Sequence, residues 1–251
     1  MSTFQNSPAG GKIFQPKIWL IDMDDTLYSA SAGMFHDIHV LMDEYIVKAL
    51  GVSPEKANQI RKDYWRLYGV TYYGLWLHHG IDPHDFLTAT HRVDVSSIHT
   101  YGLMRQAIGQ LKGKKILFTN APNSFADKVL HRLGLQNCFN DQFRAEDMKV
   151  FGHWHPKPSA AMFKSIAVRY GVLPQQCCVI DDNLNNLKIA KTVGMQTVLC
   201  KGWHHHGLSV IRPMNYVDGF ISHIRDIRKI LITKKVNVIK HHRPKFLNPY
   251  N

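Results

Sequence analysis

Acidic side chains that could perform chemistry follow the first apolar run of this chain of 251 residues. Asp22 and Asp24 lie in IDMDDTLY, directly after KIWL. Two carboxylates this close repel each other unless a cation or a shared proton relieves them. A hard cation such as Mg²⁺ prefers oxygen ligands and would do so. One carboxylate could then attack phosphorus, while the other passes a proton to the leaving oxygen.

Three later segments carry groups that suit the same chemistry. Thr119 and Asn120, in ILFTNAP, offer a hydroxyl and loop amides to a phosphate oxygen. Lys157, in HPKPS, lies between two prolines that stiffen the backbone, and its charge could neutralise a phosphoryl group. Asp181 and Asp182, in CVIDDNLNN, could complete a metal site. Phosphoryl transfer needs mainly positioning and charge neutralisation, and this set can supply both.

Each segment also has a purely structural explanation. The first could be an acidic turn, the second and fourth ordinary turn or N-cap residues, and the third a surface lysine in a proline turn. Each explanation is adequate for one segment alone. The occurrence of all four segments in order favours the chemical interpretation.

Strands that alternate with helices must position these groups. Apolar runs predict strands at 17–21, 115–119, 177–180 and 196–200. Helical spacing predicts helices at 103–111, 124–133, 159–170 and 184–192. This alternation predicts a parallel sheet, in which ligands bind beyond the carboxyl ends of the strands. The candidate groups lie at those ends or in loops that precede helices.

Residues 30–95 show helical patterns without a strand signal, which predicts an all-helical insertion. Gly51 is expected to end its first helix, and Ser53-Pro54 to begin the next. Six aromatic residues of the insertion could stack on a base, although their helical spacing is more typical of a core: Tyr64, Trp65, Tyr68, Tyr72, Tyr73 and Trp76.

The ordered set DMDDT, FTN, PKP and IDDN resembles the four motifs of the haloacid-dehalogenase superfamily, over about residues 17–200. The resemblance implies a three-layer α/β fold with a Rossmann-like parallel sheet and a helical cap inserted after the first strand. It implies that Asp22 is the nucleophile and becomes transiently phosphorylated. It also implies that Asp24 is the general acid and base, and that the backbone carbonyl of Asp24 binds Mg²⁺.

The same resemblance implies catalytic and phosphate-binding roles for Thr119 and Lys157, with Asn120 beside them at the substrate. Asp182 is implied as a direct Mg²⁺ ligand and Asp181 as an outer-shell residue. An aspartate at the position of Asp24 separates the phosphatases from the dehalogenase branch. Dehalogenation is therefore not expected.

Finer similarity points to one branch of this superfamily. DMDDTLY, YYGLWL, FTNAP and IDDNLNN are similar to the pyrimidine 5′-nucleotidases, which hydrolyse nucleoside monophosphates such as UMP and CMP. Asn183 stands where that branch usually has serine. Phosphoglycolate, a sugar phosphate or another small phosphomonoester is the alternative substrate.

The expected organisation has four parts. They are an N-terminal tail (1–16), an α/β core (17–29 and 96–231), a cap (30–95) that closes over the site and selects the substrate, and a basic C-terminal tail (232–251). Phe220, Ile224, Ile227 and Leu231 are spaced as a helix stripe that docks on the core.

Charge and cysteine content indicate possible partners and the location of the protein. The net charge is +12, and residues 223–251 hold eight Lys or Arg against one acid. The tail could therefore bind nucleic acid, which is a second class of function, although a solvated tail is the favoured explanation of the charge. The four cysteines form no C-x-x-C pair, which favours a reducing, cytoplasmic location, and no apolar stretch predicts a membrane span. Clustered histidines (His204–His206, His241 and His242) are expected to be incidental, and the sequence predicts no oligomeric state.

Overall fold

The computed structural model describes residues 15–100, 102–202, 214–229 and 231–232. The histidine clusters, most of the N-terminal tail and nearly all of the basic C-terminal tail lie outside the described residues. Among the described helices, none combines the length and the apolar character that a bilayer crossing requires.

The strands of the described residues are β1 (Ile18–Ile21), β2 (Lys114–Phe118), β3 (Asp141–Phe143), β4 (Lys149–Val150), β5 (His153–Trp154), β6 (Cys177–Asp181), β7 (Gln196–Cys200), β8 (Gly219–Ile221) and β9 (Leu231–Ile232). Seven of them form the sheet at the centre of the fold, in the order β3-β2-β1-β6-β7-β8-β9. Six strands of the sheet are parallel, and β9 pairs antiparallel to β8. The prediction of a parallel α/β sheet is confirmed.

Within the described ranges, eight α-helices accompany the strands. They are α1 (Met34–Leu50), α2 (Pro54–Tyr68), α3 (Thr71–His79), α4 (Pro83–Thr90), α5 (Met104–Gly109), α6 (Asn123–Leu133), α7 (Ala160–Arg169) and α8 (Leu184–Thr192). Short 3₁₀ helices occupy Ala145–Asp147, Pro174–Gln176 and Ile224–Lys229.

Alternate residues of the central strands enter two separate cores, as the period of a pleated strand requires. Ile21 and Ile180 pack on one face of the sheet with α5, α6 and the last 3₁₀ helix. Leu20 and Val179 pack on the other face with α7 and α8. The central strands are buried on both faces because helices cover both, which gives the three layers.

The four helices α1–α4, here called the helical insertion, follow β1 and pack around a third apolar cluster, to which Ala145 and Trp154 also contribute. Gly51 ends α1 in the left-handed conformation, and the Ser53 hydroxyl caps α2 by accepting the Lys56 N–H, as predicted. Tyr72 is buried in this core, whereas Trp65 is 60% exposed. The aromatic residues of the insertion therefore differ in environment, and their contact with substrate stays a prediction.

Two parts of the fold differ from the sequence prediction. The stretch 134–158 holds β3 and a two-stranded hairpin, β4–β5, where no strand was expected. The proposed helix through Phe220 and Leu231 is wrong, because Phe220 lies in β8 and Leu231 in β9. Between them, Ile224 and Ile227 are buried in the core as expected, but on a 3₁₀ helix. Residues in short strands and one helical turn produced the same four-three-four spacing.

The turn of the β4–β5 hairpin carries local backbone strain. Phe151 and Gly152 both have positive φ (50° and 80°) between the paired residues Val150 and His153. A side chain at positive φ costs about 1 kcal/mol, and Phe151 is 98% exposed, so little packing offsets this. Asn-Gly is the favoured pair for such a turn. We expect Phe151→Asn to raise the free energy of unfolding by about 1 kcal/mol in urea denaturation.

Phe151→Ala is the control, because it removes the exposed ring and keeps a residue that disfavours positive φ. It should gain much less stability than the Asn variant. Equal gains in both variants would attribute the effect to the exposed ring and not to the backbone.

Candidate functional site

The predicted groups meet at the carboxyl edge of the sheet. Asp22 directly follows β1, Thr119 directly follows β2, and Asp181 ends β6. Because β1 lies between β2 and β6, these positions are neighbours in space. Lys157 reaches them from the loop between β5 and α7.

A buried lysine joins two of the carboxylates. The Lys157 Nζ donates to Asp22 Oδ1 at 2.5 Å and to Asp181 Oδ2 at 3.1 Å, and Lys157 is 2% exposed. Burial lowers the pKa of Lys157, but the carboxylates of Asp181 and Asp22 outweigh burial and raise it overall. The side chain is therefore held as an ammonium group between two acids. The Thr26 hydroxyl donates to the other Asp22 oxygen at 3.1 Å.

Asp181 is fully supplied with donors besides Lys157. Asn186 Nδ2 lies 2.9 Å from both carboxylate oxygens, and the Asn183 N–H donates at 2.8 Å. By contrast, no hydrogen bond or ion pair reaches the Asp182 carboxylate from the residues that the structure describes. Asp181 is thus held in place by its hydrogen bonds to Lys157, Asn183 and Asn186. The Asp182 oxygens, in contrast, are available to a ligand.

Asp22, Asp181 and Asp182 form an acidic cluster in which one oxygen of each lies within 4.8 Å of the others. Burial raises the pKa of Asp22, and the charges of Asp181 and Asp24 raise it further against Lys157. Burial raises the pKa of Asp182 too, with Asp181 and Asp22 adding to the effect. One ammonium group does not offset three carboxylates. An all-oxygen set with excess negative charge fits a hard divalent cation.

Asp24 is held by a residue that the sequence analysis did not single out. The Tyr28 hydroxyl donates to Asp24 Oδ1 at 2.5 Å, and Tyr28 is 1% exposed. Burial raises the pKa of the Asp24 carboxyl to about 6, although the Tyr28 hydrogen bond opposes this. A carboxyl group with this pKa can both give and take a proton near neutral pH.

In this structure, the side chains of Thr119 and Asn120 form hydrogen bonds with the backbone. The Thr119 hydroxyl accepts the Ala121 N–H at 3.1 Å and is fully buried. Asn120 Oδ1 accepts the Lys157 N–H at 2.9 Å, and Asn120 Nδ2 donates to the Lys157 carbonyl at 3.0 Å. Asn120 therefore fixes the backbone that carries the ammonium group. Its contact with substrate stays a prediction.

Sequence reasoning missed Tyr28 and Asn186, although both had a signal. Tyr28 lies four residues after Asp24, and an isolated bridge joins the two backbones. Asn186 lies one helical turn after Asn183, which caps α8 through its side chain. An amide one turn inside a helix can face the carboxylate that precedes the helix.

Known proteins are similar to this chain. The family model for a haloacid dehalogenase-like hydrolase matches residues 16–194. Phosphate metabolism protein 8 of Saccharomyces cerevisiae is 23% identical over 240 residues, which cover 89% of this chain and 74% of that protein. Fructose-1-phosphate phosphatase YqaB of Escherichia coli is 32% identical over 80 residues, 32% of this chain and 40% of that protein.

Solved structures share the fold at low identity. A HAD phosphatase from Thermococcus onnurineus has a TM-score of 0.55 and 19% identity, covering 85% of this chain and 96% of its own. The L-2-haloacid dehalogenase of Xanthobacter autotrophicus has a TM-score of 0.53 and 15% identity, covering 85% of this chain and 97% of its own. The family match spans most of the described core, and so the chain belongs to the haloacid dehalogenase-like hydrolases.

Proposed function

We propose that this hydrolase is a magnesium-dependent phosphomonoesterase that acts through an aspartyl phosphate on Asp22. The observation that carries the proposal is the contact of one buried ammonium group with Asp22 and Asp181, beside the available carboxylate of Asp182. Asp22 and Asp182, with the backbone carbonyl of Asp24, would hold the metal, and Asp181 would orient them. Mg²⁺ bound there would neutralise the carboxylates and polarise a phosphoryl oxygen.

In the first step, an Asp22 oxygen attacks phosphorus in line with the ester oxygen. The bond from Asp22 to phosphorus forms, the bond from phosphorus to the ester oxygen breaks, and Asp24 gives its proton to the departing alkoxide. Lys157 stays close to the phosphoryl oxygens and stabilises their charge. Thr119 would add a hydroxyl at the same edge of the sheet.

In the second step, Asp24 takes a proton from water, the water oxygen bonds to phosphorus, and the bond from phosphorus to the Asp22 oxygen breaks. Inorganic phosphate leaves, and Asp22 returns as a carboxylate. The helical insertion (34–90) would act as a cap that excludes bulk water from the first step. Gly69, which ends α2, supports this role because its backbone lies against Lys157 and Pro158.

For the substrate we propose a pyrimidine nucleoside monophosphate, on the similarity of DMDDTLY, YYGLWL, FTNAP and IDDNLNN to that branch. The local similarity to fructose-1-phosphate phosphatase YqaB supports a sugar phosphate as the alternative. Both substrates are alkyl phosphates whose leaving oxygen needs a proton, which is the task given to Asp24.

Phosphate release from a substrate panel tests the proposal. The panel holds UMP, CMP, AMP, fructose 1-phosphate and phosphoglycolate, each with Mg²⁺, with EDTA and with the Asp22→Asn variant. Release from UMP and CMP that needs both Mg²⁺ and Asp22 is the expected result. Release from another ester keeps the mechanism and changes the substrate. Release that persists in EDTA or in Asp22→Asn overturns the mechanism.

The Tyr28–Asp24 hydrogen bond should matter most for poor leaving groups. We expect Tyr28→Phe to lower kcat roughly 10-fold for UMP or another active alkyl phosphate, since a hydrogen bond to a charged group is lost. With p-nitrophenyl phosphate the loss should be small, because its leaving group departs without a proton. Steady-state kinetics with both substrates measure this difference.

Tyr170→Phe is a matched control, because the Tyr170 hydroxyl donates to Asp141 at the far edge of the sheet. It should change neither rate. An equal loss for both substrates in Tyr28→Phe would mean that Tyr28 does not assist protonation of the leaving group, and acts instead on the shared second step or on the fold.

Two further expectations concern the chain outside the site. Binding of nucleic acid by the basic tail stays a prediction, and salt-dependent RNA binding that disappears on deletion of residues 232–251 would support it. The cytoplasmic location also stays a prediction. It is consistent with the absence of a disulfide among the four cysteines, which are all free in the described residues.

A further inference from the structure

A cleft of about 430 Å³ lies between the helical insertion and the core, apart from the acidic cluster. The end of α3 and the start of α4 form one wall, and the first 3₁₀ helix with the β4–β5 hairpin forms the other. The lining side chains that matter here are Trp76, Asp82, Glu146, Lys149 and Trp154. None of the groups assigned to phosphoryl transfer lines it.

Two carboxylates in this cleft have no cationic side chain as a partner among the described residues. Asp82 Oδ1 accepts the His84 N–H at 2.6 Å as the cap of α4. Both Glu146 oxygens lie 3.0 Å from the Asn123 N–H. Across the described ranges of the chain, no ion pair joins either carboxylate to Lys, Arg or His. Both therefore have capacity to bind a positive charge.

An aromatic face in the same cleft already holds an ammonium group. Lys149 and Trp154 are cross-strand partners in the hairpin, and Lys149 Nζ lies 4.1 Å from the centre of the Trp154 ring. The face of an indole attracts cations electrostatically, most strongly where water is excluded. Trp154 is 9% exposed. Its face is thus a cation site that the chain fills with its own lysine.

We propose that this cleft binds a compact organic cation, with a primary or quaternary ammonium group. The cation would occupy the Trp154 face, with Asp82 and Glu146 supplying negative charge. Lys149 acts as an internal competitor that leaves the face when the ligand enters. The proposal does not depend on the phosphatase reaction.

Choline is a suitable probe, with 3,3-dimethyl-1-butanol as its uncharged carbon analogue. Binding to the full chain is measured by NMR titration of the tryptophan indole N–H signals and by calorimetry. We expect choline to bind and the analogue to bind at least about 5-fold more weakly, since only the former carries charge. Equal binding of both compounds would overturn the proposal.

Two variants test the roles of the charged residues, and neither belongs to the catalytic set. Lys149→Gln should strengthen choline binding about 3- to 10-fold, because it removes the competitor from the indole face. Asp82→Asn keeps a residue able to cap α4 and should weaken binding by a similar factor.

The sign of the Lys149→Gln effect separates a cation site from an anion site. Weaker choline binding in Lys149→Gln overturns the proposal. So does acetate binding to the wild-type protein that disappears in this variant, because Lys149 would then be the ligand-binding group. Failure of choline to bind either the wild-type protein or Lys149→Gln also overturns it.

Discussion

Replacing Lys157 by methionine should lower phosphatase kcat/KM by roughly 10³-fold and destabilise the fold at the same time. The ammonium group is the only cation of the described residues paired with Asp22 and Asp181, and all three side chains are buried. Removal of one partner from a buried ion pair costs about 3–5 kcal/mol, because it leaves uncompensated charge. Phosphate release and urea denaturation measure the two effects.

The loss of stability should shrink as the pH falls. Without the ammonium group, the pKa of Asp22 in the folded state rises further above its unfolded value. The folded state then binds more protons than the unfolded state, and lower pH favours it. Lys188→Met is the control, because Lys188 is exposed on α8 and the same change there should affect neither quantity. A Lys157→Met protein of wild-type stability at pH 8 would contradict the ion-pair argument.

Replacing Asp22 by asparagine should abolish turnover, by roughly 10⁴-fold or more, while the fold keeps or gains stability. The amide cannot form the acyl phosphate. It also removes one of three clustered carboxylates; burial, and after it their mutual repulsion, raises the pKa values of Asp22 and Asp182. Lys157 keeps Asp181 as its partner. Asp22→Asn should therefore lose activity without a fall in the thermal unfolding temperature, whereas Lys157→Met should lose both activity and stability.

Asp37→Asn makes the same chemical change at an exposed position of α1 and should leave the rate unchanged. Mass spectrometry of the protein quenched during turnover should find phosphate on the wild-type protein and none on Asp22→Asn. A stable but fully active Asp22→Asn protein would show that another group is the nucleophile.

The parts of the fold that sequence predicts are those with continuous apolar runs. β1, β6 and β7 are buried almost throughout, so their composition identifies them. β3 is the sequence Asp-Gln-Phe, of which only Phe143 is buried, so it has no such signal. Its position comes from pairing with β2, which depends on residues distant in sequence. β8 (Gly-Phe-Ile) has two buried residues, but three residues are too short a run to distinguish a strand from a helix, and its Phe220 was assigned to a helix.

The residues of the site also differ in whether the sequence predicts their contacts. Asp22, Lys157 and Asp181 could be predicted to meet, because each follows or precedes an element of recognisable pattern, and the structure brings them into contact. The role of Asn120 could not be predicted, because its partner is the backbone of a loop that lies 37 positions away. Such a contact leaves no periodicity in the sequence.

The Asn120–Lys157 pair also leaves the β4–β5 turn, which lies between the two residues in sequence, free to vary. The Asn120 side chain forms hydrogen bonds with both the N–H and the carbonyl of Lys157. These two bonds hold the lysine at the end of β2 directly, without using the β4–β5 turn. The turn at Phe151 and Gly152 lies on that path, and the Phe151 side chain is almost fully exposed. Relatives could lengthen or replace this turn, and so acquire new recognition surfaces, without moving the ammonium group.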